Sequence, residues 1–201
     1  MNAVEKIRMS TSALYDEGRG ITDGPTRGLM LELLFYDLLS PEVRKRLTKG
    51  TFQKQSHKSN NGRNAKCQYD WLLLNKPVSE FPVLTLAGIP FGIYDEKDVL
   101  AVIEIKSGTA EVSSKTITNT SSSFWNLKRA LGKPWVYIAF SGTKALYDFS
   151  HDTPDSSLNK KANGKYFCLW TFSTIKEKQD EQAEITLENF KAVEAYLKSL
   201  I

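Results

Sequence analysis

The residues able to do chemistry sit on two apolar stretches. In Val99–Lys106 the run Val99-Leu100-Ala101-Val102-Ile103 leads directly into Glu104-Ile105-Lys106. Read as a strand, whose side chains alternate between faces, it places Glu104 and Lys106 on one face and Ile103 and Ile105 on the other. In Gln68–Leu74, Asp70 heads a second apolar strand. Either charge would be costly to bury alone. Beside Glu104, Asp70 would complete a carboxylate pair able to hold a divalent cation, with Lys106 placed to orient or deprotonate an attacking water. That arrangement hydrolyses phosphodiesters. A bare E-x-K is equally the pattern of a salt bridge at a sheet edge, and an aspartate often begins a strand. The combination of both strands, following a helix with the embedded glutamate Glu32, is what points to a site.

Composition narrows the metal. The only cysteines, Cys67 and Cys168, are far apart, and His57 and His151 are the only histidines. There is no CxxC pair, no HExxH and no disulfide framework, so a zinc centre is set aside. A catalytic metal would be held by carboxylates, which suits magnesium, with manganese able to substitute. No GxxxxGK[ST] loop is present, and Gly18, Gly20 and Gly24 lack the preceding strand of a dinucleotide fingerprint, so nucleotide hydrolysis and hydride transfer drop out. The SxxK match at Ser141–Lys144 follows Lys106-Ser107-Gly108, the reverse of the order in serine β-lactamases.

The net charge of +4 is unevenly placed. Between Glu42 and Lys66, eight bases (Arg44, Lys45, Arg46, Lys49, Lys54, Lys58, Arg63 and Lys66) face the single acid Glu42. Such a concentration suits a polyanion, because each phosphate neutralised releases counterions from nucleic acid. A solvated loop has the same composition.

The elements that must position these residues follow from periodicity. At 201 residues, 41% hydrophobic and 25% charged, the chain reads as one globular domain over 1–201. Apolar spacing predicts a helix over Val4–Tyr15, ending near Gly18 and Gly20, and a stronger one from Thr26 to Leu39, apolar nearly all round and stopped by Pro41. Strands are expected at Gln68–Leu74, Val83–Leu86, Val99–Lys106, Trp135–Phe140 and Lys165–Phe172. Ser107–Ser123, with ten Ser or Thr in seventeen residues, reads as a polar loop, with Ser123 capping a helix over Phe124–Leu131. Ser150–Gly164 reads as an exposed excursion. From Glu184, Phe190, Val193, Leu197 and Leu200 recur at helical spacing, giving a C-terminal helix over 184–201 that packs on the body or on another subunit. Alternating strands and helices imply an α/β sandwich. No apolar run is long enough to span a bilayer and no secretory leader is visible, so a cytoplasmic protein without a membrane partner is expected.

The chain resembles the PD-(D/E)XK nucleases, the restriction-endonuclease-like superfamily. CQYDWLLLNK (Cys67–Lys76) looks like the superfamily's aspartate-bearing strand, VLAVIEIKSG (Val99–Gly108) like its (D/E)XK strand, and RGLMLELL (Arg27–Leu34) like its glutamate-bearing first helix. The spacing and the sequence IYDEKDVLAVIEIKS most resemble cyclic-oligonucleotide-activated anti-phage DNA endonucleases, over roughly Gly24 to Leu131. The resemblance implies an α/β/α sandwich with a central mixed sheet. It also implies a Mg2+-dependent endonuclease acting on DNA, double-stranded, in restriction or anti-phage defence. Asp70, Glu104 and the carbonyl of Ile105 would bind the metal, Lys106 would position the water, Glu32 would be an accessory ligand, and Lys115 could face the nucleic acid. Cutting both strands would require a homo-oligomer. An activator ligand is compatible with the resemblance, but nothing in the sequence calls for one. The alternative is a non-catalytic nucleic-acid-binding or assembly module on the same fold.

Neutralising Lys54, Lys58 and Arg63 together is expected to weaken DNA binding and flatten its dependence on log salt. Fluorescence titrations across a salt series check this; an unchanged slope returns the stretch to a solvated loop.

Overall fold

Pro25 lies in the first helical turn, where its missing N–H costs nothing, and Pro41 lies just beyond the other end; between them runs α2 (Gly24–Leu38). This is the helix on which the sheet is built. The computed structural model describes residues 2–15, 24–53, 69–86, 88–107, 133–141, 164–170 and 179–201. The sequence makes this helix apolar nearly all round, but only one stripe of it is fully buried. Leu31, Leu34 and Phe35 form one buried stripe, while Leu29 and Leu33 face outward at 48% and 39% exposure.

Ahead of α2 runs α1 (Ala3–Tyr15), whose start is a reciprocal capping box. The Glu5 N–H donates to Asn2 Oδ1 at 2.8 Å and the Asn2 N–H to Glu5 Oε2 at 2.9 Å. Ile7 is buried, and Lys6 pairs with Asp37 of α2 at 2.5 Å. A single turn, α3 (Pro41–Arg44), follows α2. The last helix, α4 (Gln179–Ser199), buries Phe190, Val193 and Leu197 in the same core as Phe35, which meets Phe190 edge-on at 5.8 Å. The apolar row of the C-terminal helix is thus spent inside the chain. Glu194 of α4 also accepts the Ser40 N–H at the start of α3 (3.1 Å).

The strands are β1 (Leu47–Gln53), β2 (Tyr69–Leu74), β3 (Leu84–Leu86), β4 (Ile89–Asp95), β5 (Val99–Ser107), β6 (Trp135–Ser141) and β7 (Gly164–Trp170). They form one sheet in the order β3-β4-β1-β2-β5-β6-β7. The sheet is mixed. β2 pairs antiparallel with β1 and β5, β3 with β4 likewise, while β1–β4, β5–β6 and β6–β7 are parallel. Trp71, Leu73, Ala101 and Ile103 join the helical core, yet Leu72 and Val102, on alternate positions, are buried just as fully. Both faces of the central strands are therefore covered, as a sandwich requires.

Two strands were hidden in the sequence. β1 lies inside the basic stretch, and β4 (IPFGIYD) carries a proline and a glycine that read as punctuation. Gly50 serves close approach instead, and Gly92 makes room for the Tyr94 side chain. Gly50 has φ 143°, and a Cβ there would lie 2.0 Å from the Gly92 carbonyl oxygen across the β1–β4 pair. On these strands Thr48 Oγ1 donates to the Pro90 carbonyl (3.0 Å) and lies 2.7 Å from the Tyr94 hydroxyl. Burial pushes the Tyr94 hydroxyl above its ordinary value, with the Thr48 bond pulling the other way, so it stays protonated. The expected helix over Phe124–Leu131, the Ser/Thr-rich loop beyond Ser107 and the excursion before Gly164 lie outside the described residues. Among those described, no helix is long and apolar enough to cross a membrane.

Truncating Phe190 to alanine is expected to lower stability by about 3–5 kcal/mol, the usual cost of emptying a large aromatic site. Urea unfolding measures it. Gel-filtration elution of the folded variant should match wild type, because this side chain faces the chain's own core.

Candidate active site

β2 sits at the centre of the sheet, and its pairings decide where Asp70 goes. Toward β1, Leu73 faces Leu47 and Leu72 faces Thr48, but the next pair is Tyr69 with Gly50. Two residues of β2, Asp70 and Trp71, therefore stand opposite the single residue Lys49. This is a β-bulge, a feature that locally breaks the ladder and re-aims side chains. Toward β5, Leu72 faces Val102 and Trp71 faces Ile103; one step further come Asp70 and Glu104.

The carboxylate of Asp70 is fixed from β5. Its Oδ2 accepts the main-chain N–H of Ile105 at 2.6 Å, at the short end for a charge-assisted bond. The same peptide unit begins at Glu104, whose residue is only 2% exposed. This bond joins the Asp70 carboxylate to the peptide between Glu104 and Ile105, the two β5 residues that the family resemblance assigns to a metal. A carboxylate has about four lone-pair positions, so one bond to an amide leaves room for a cation.

The donor set suits a hard cation. Among the described residues, no three His, Cys, Asp or Glu side chains gather as a metal cluster. The resemblance implies two carboxylates and a main-chain carbonyl, a set that would suit magnesium, which commonly keeps several waters and takes one or two carboxylates. Lys106 lies two residues beyond Glu104, where β5 pairs it with Ala139 of β6; its side chain lies outside the described residues, as do Lys54, Lys58, Arg63 and Lys115 altogether.

Glu32 arrives from α2, and its carboxylate is bonded by the ammonium of Lys49. That lysine also donates to the main-chain carbonyl of Asp70 at 3.1 Å and stands 4.7 Å from the centre of the Trp71 ring. Tyr36, one turn after Glu32, stacks on Trp71 at 4.9 Å with the rings 10° from parallel. Sequence reasoning gave Lys49, Tyr36 and Trp71 no part in the site. The available signal was a lysine followed by glycine within a strand, Lys49-Gly50, which reads as a turn.

No family model matches the chain, and no curated protein matches it. Among solved structures, it is similar to NucC from E. coli MS115-1 in its cAAA-bound form, with a TM-score of 0.57 at 12% identity, over 98% of this chain and 87% of that one. It is similar also to NucC from P. aeruginosa ATCC27853, cAAA-bound, with a TM-score of 0.55 at 12% identity, over 98% and 88%. Both neighbours are cAAA-bound forms of NucC and share this chain's fold. At that identity the likeness establishes the restriction-endonuclease-like α/β fold.

Asp70→Asn is expected to fold with a loss of about 1 kcal/mol, since the amide oxygen still accepts the Ile105 N–H but without charge assistance. In proton–nitrogen NMR spectra the Ile105 amide should move upfield. An Ile105 amide that does not respond would contradict the bond.

Proposed function

We propose that the protein is a metal-dependent endonuclease that hydrolyses DNA phosphodiester bonds in restriction or anti-phage defence. The observation that carries this is the bond from the Ile105 N–H to Asp70, which sets Asp70 against the strand of Glu104 and Lys106. The restriction-endonuclease-like fold supports it. In this reading Asp70, Glu104 and the Ile105 carbonyl hold Mg2+, for which Mn2+ would substitute. When bound, the metal supplies charge neutralisation at the scissile phosphate.

The chain's own residues divide the remaining work. Lys106 holds the attacking water in line with the phosphorus, and its positive charge favours hydroxide character on that water. The low exposure of Glu104 keeps bulk water from competing for the cation. The basic stretch beyond Gln53 draws in the DNA backbone without choosing a sequence. The neighbours' cAAA-bound state supports a cyclic oligonucleotide as activator. One such site holds one strand's phosphate, so cutting both strands calls for a second copy of the chain.

The test is purified protein with supercoiled plasmid and Mg2+, Mn2+ or EDTA, with and without a cyclic trinucleotide. Cleavage that EDTA abolishes is expected, and Asp70→Ala or Glu104→Ala should remove it while thermal unfolding shows a folded protein. Lys106→Ala should cut more slowly by roughly two or more orders of magnitude, the usual worth of general acid–base assistance, with metal binding kept. DNA binding without metal-dependent cleavage under any of these conditions would favour the non-catalytic module.

A further inference from the structure

Lys49 is the one residue of β1 that faces the two-residue bulge of β2, and its ammonium meets a carboxylate, a carbonyl and an aromatic face there. A bulge interrupts the ladder, so a main-chain group loses its strand partner and needs another. For the Asp70 carbonyl that partner is Lys49. We propose that Lys49, held in place by Glu32, is a positioning residue that fixes the Asp70–Trp71 bulge and through it the Asp70 carboxylate. The inference rests on the nuclease reading of this site.

Several features favour this role. The Glu32 and Lys49 side chains are only 16% and 20% exposed, so their pairing is less screened by water than that of a surface pair. A lysine suits the place: three donors on a flexible stem can serve a carboxylate and a carbonyl at once. Trp71, the second bulge residue, is held by α2 as well, through the stack with Tyr36. Glu32 and Tyr36 are four residues apart on one helical face, so a single helix grips both bulge residues, one through Lys49 and one through the ring. Asp70 is then held on two sides, by its carbonyl from Lys49 and by its carboxylate from the Ile105 N–H. Glu32 would thus act on the metal site through Lys49 and the β2 main chain.

The test uses the full chain and Lys49→Met, Glu32→Gln, the double variant and Lys49→Arg. Mn2+ binding is followed by electron paramagnetic resonance, the Ile105 amide by NMR, and plasmid cleavage as kcat and KM. Lys49→Met should weaken Mn2+ binding and kcat by about tenfold to a hundredfold, as supporting partners of metal ligands do, shift the Ile105 amide and leave KM for DNA unchanged. Lys49→Arg should recover part of the loss. The double variant should be no worse than Lys49→Met, because Glu32 acts through Lys49. Should Lys49→Met not fold, the double variant, which removes both members of the pair, carries the same comparison.

An unchanged Mn2+ affinity and Ile105 amide in Lys49→Met would overturn the proposal, and so would a raised KM alone, which would make Lys49 a DNA contact. Losses that multiply in the double variant would also overturn it, since Glu32 would then act at the metal independently. If the wild type cuts no DNA, the nuclease reading fails, while the Ile105 amide still decides the role of Lys49.

Discussion

A main-chain amide on β5 ends its ladder on a side chain: the Ile105 N–H goes to the carboxylate of Asp70. The pairing of β2 with β5 places this bond, and the bulge against β1 allows it. Two successive residues of β2, Asp70 and Trp71, face one residue of β1, and on its other side β2 bonds through Asp70 to the peptide that joins Glu104 to Ile105. The bond therefore brings the Asp70 carboxylate, at one strand's start, to the Glu104–Ile105 peptide near the other's end, which sequence spacing alone does not fix.

The rest of the structure can be understood as what holds that geometry rigid. β2 and β5 are buried on both faces, so neither can slip register without exposing a full row of apolar side chains. α2 clamps the bulge through Glu32 and Tyr36, and α4 closes the core over Phe35. On the far side of β1, Gly50 lets β4 approach closely, and β1 is an interior strand. A site built on central strands, supported by a helix, is held more tightly than one on loops.

Much of this was legible in the sequence, for identifiable reasons. Asp70, Glu104 and Lys106 stood out because charges at the ends of long apolar runs are hard to explain by packing, and the strands bearing them were expected at nearly their observed bounds. β1 and β4 were not legible. Lys49-Gly50, Pro90 and Gly92 carry the marks of turns, whereas Gly50 answers a steric demand that appears only when the strands are side by side. Periodicity made α2 apolar all round, yet Leu29 and Leu33 face outward. The role of Lys49 was invisible for a further reason: a bulge is a relation between two strands, and no alternation within either one encodes it.

The central claim is that Asp70, Glu104 and the Ile105 carbonyl are preset as one cation site. A crystal soaked in manganese and measured at the metal's absorption edge tests it most directly. The account predicts an anomalous peak within coordination distance of all three groups, with the Ile105 N–H still bonded to Asp70. A peak elsewhere on the protein, or none at a manganese concentration that supports cleavage, would contradict it.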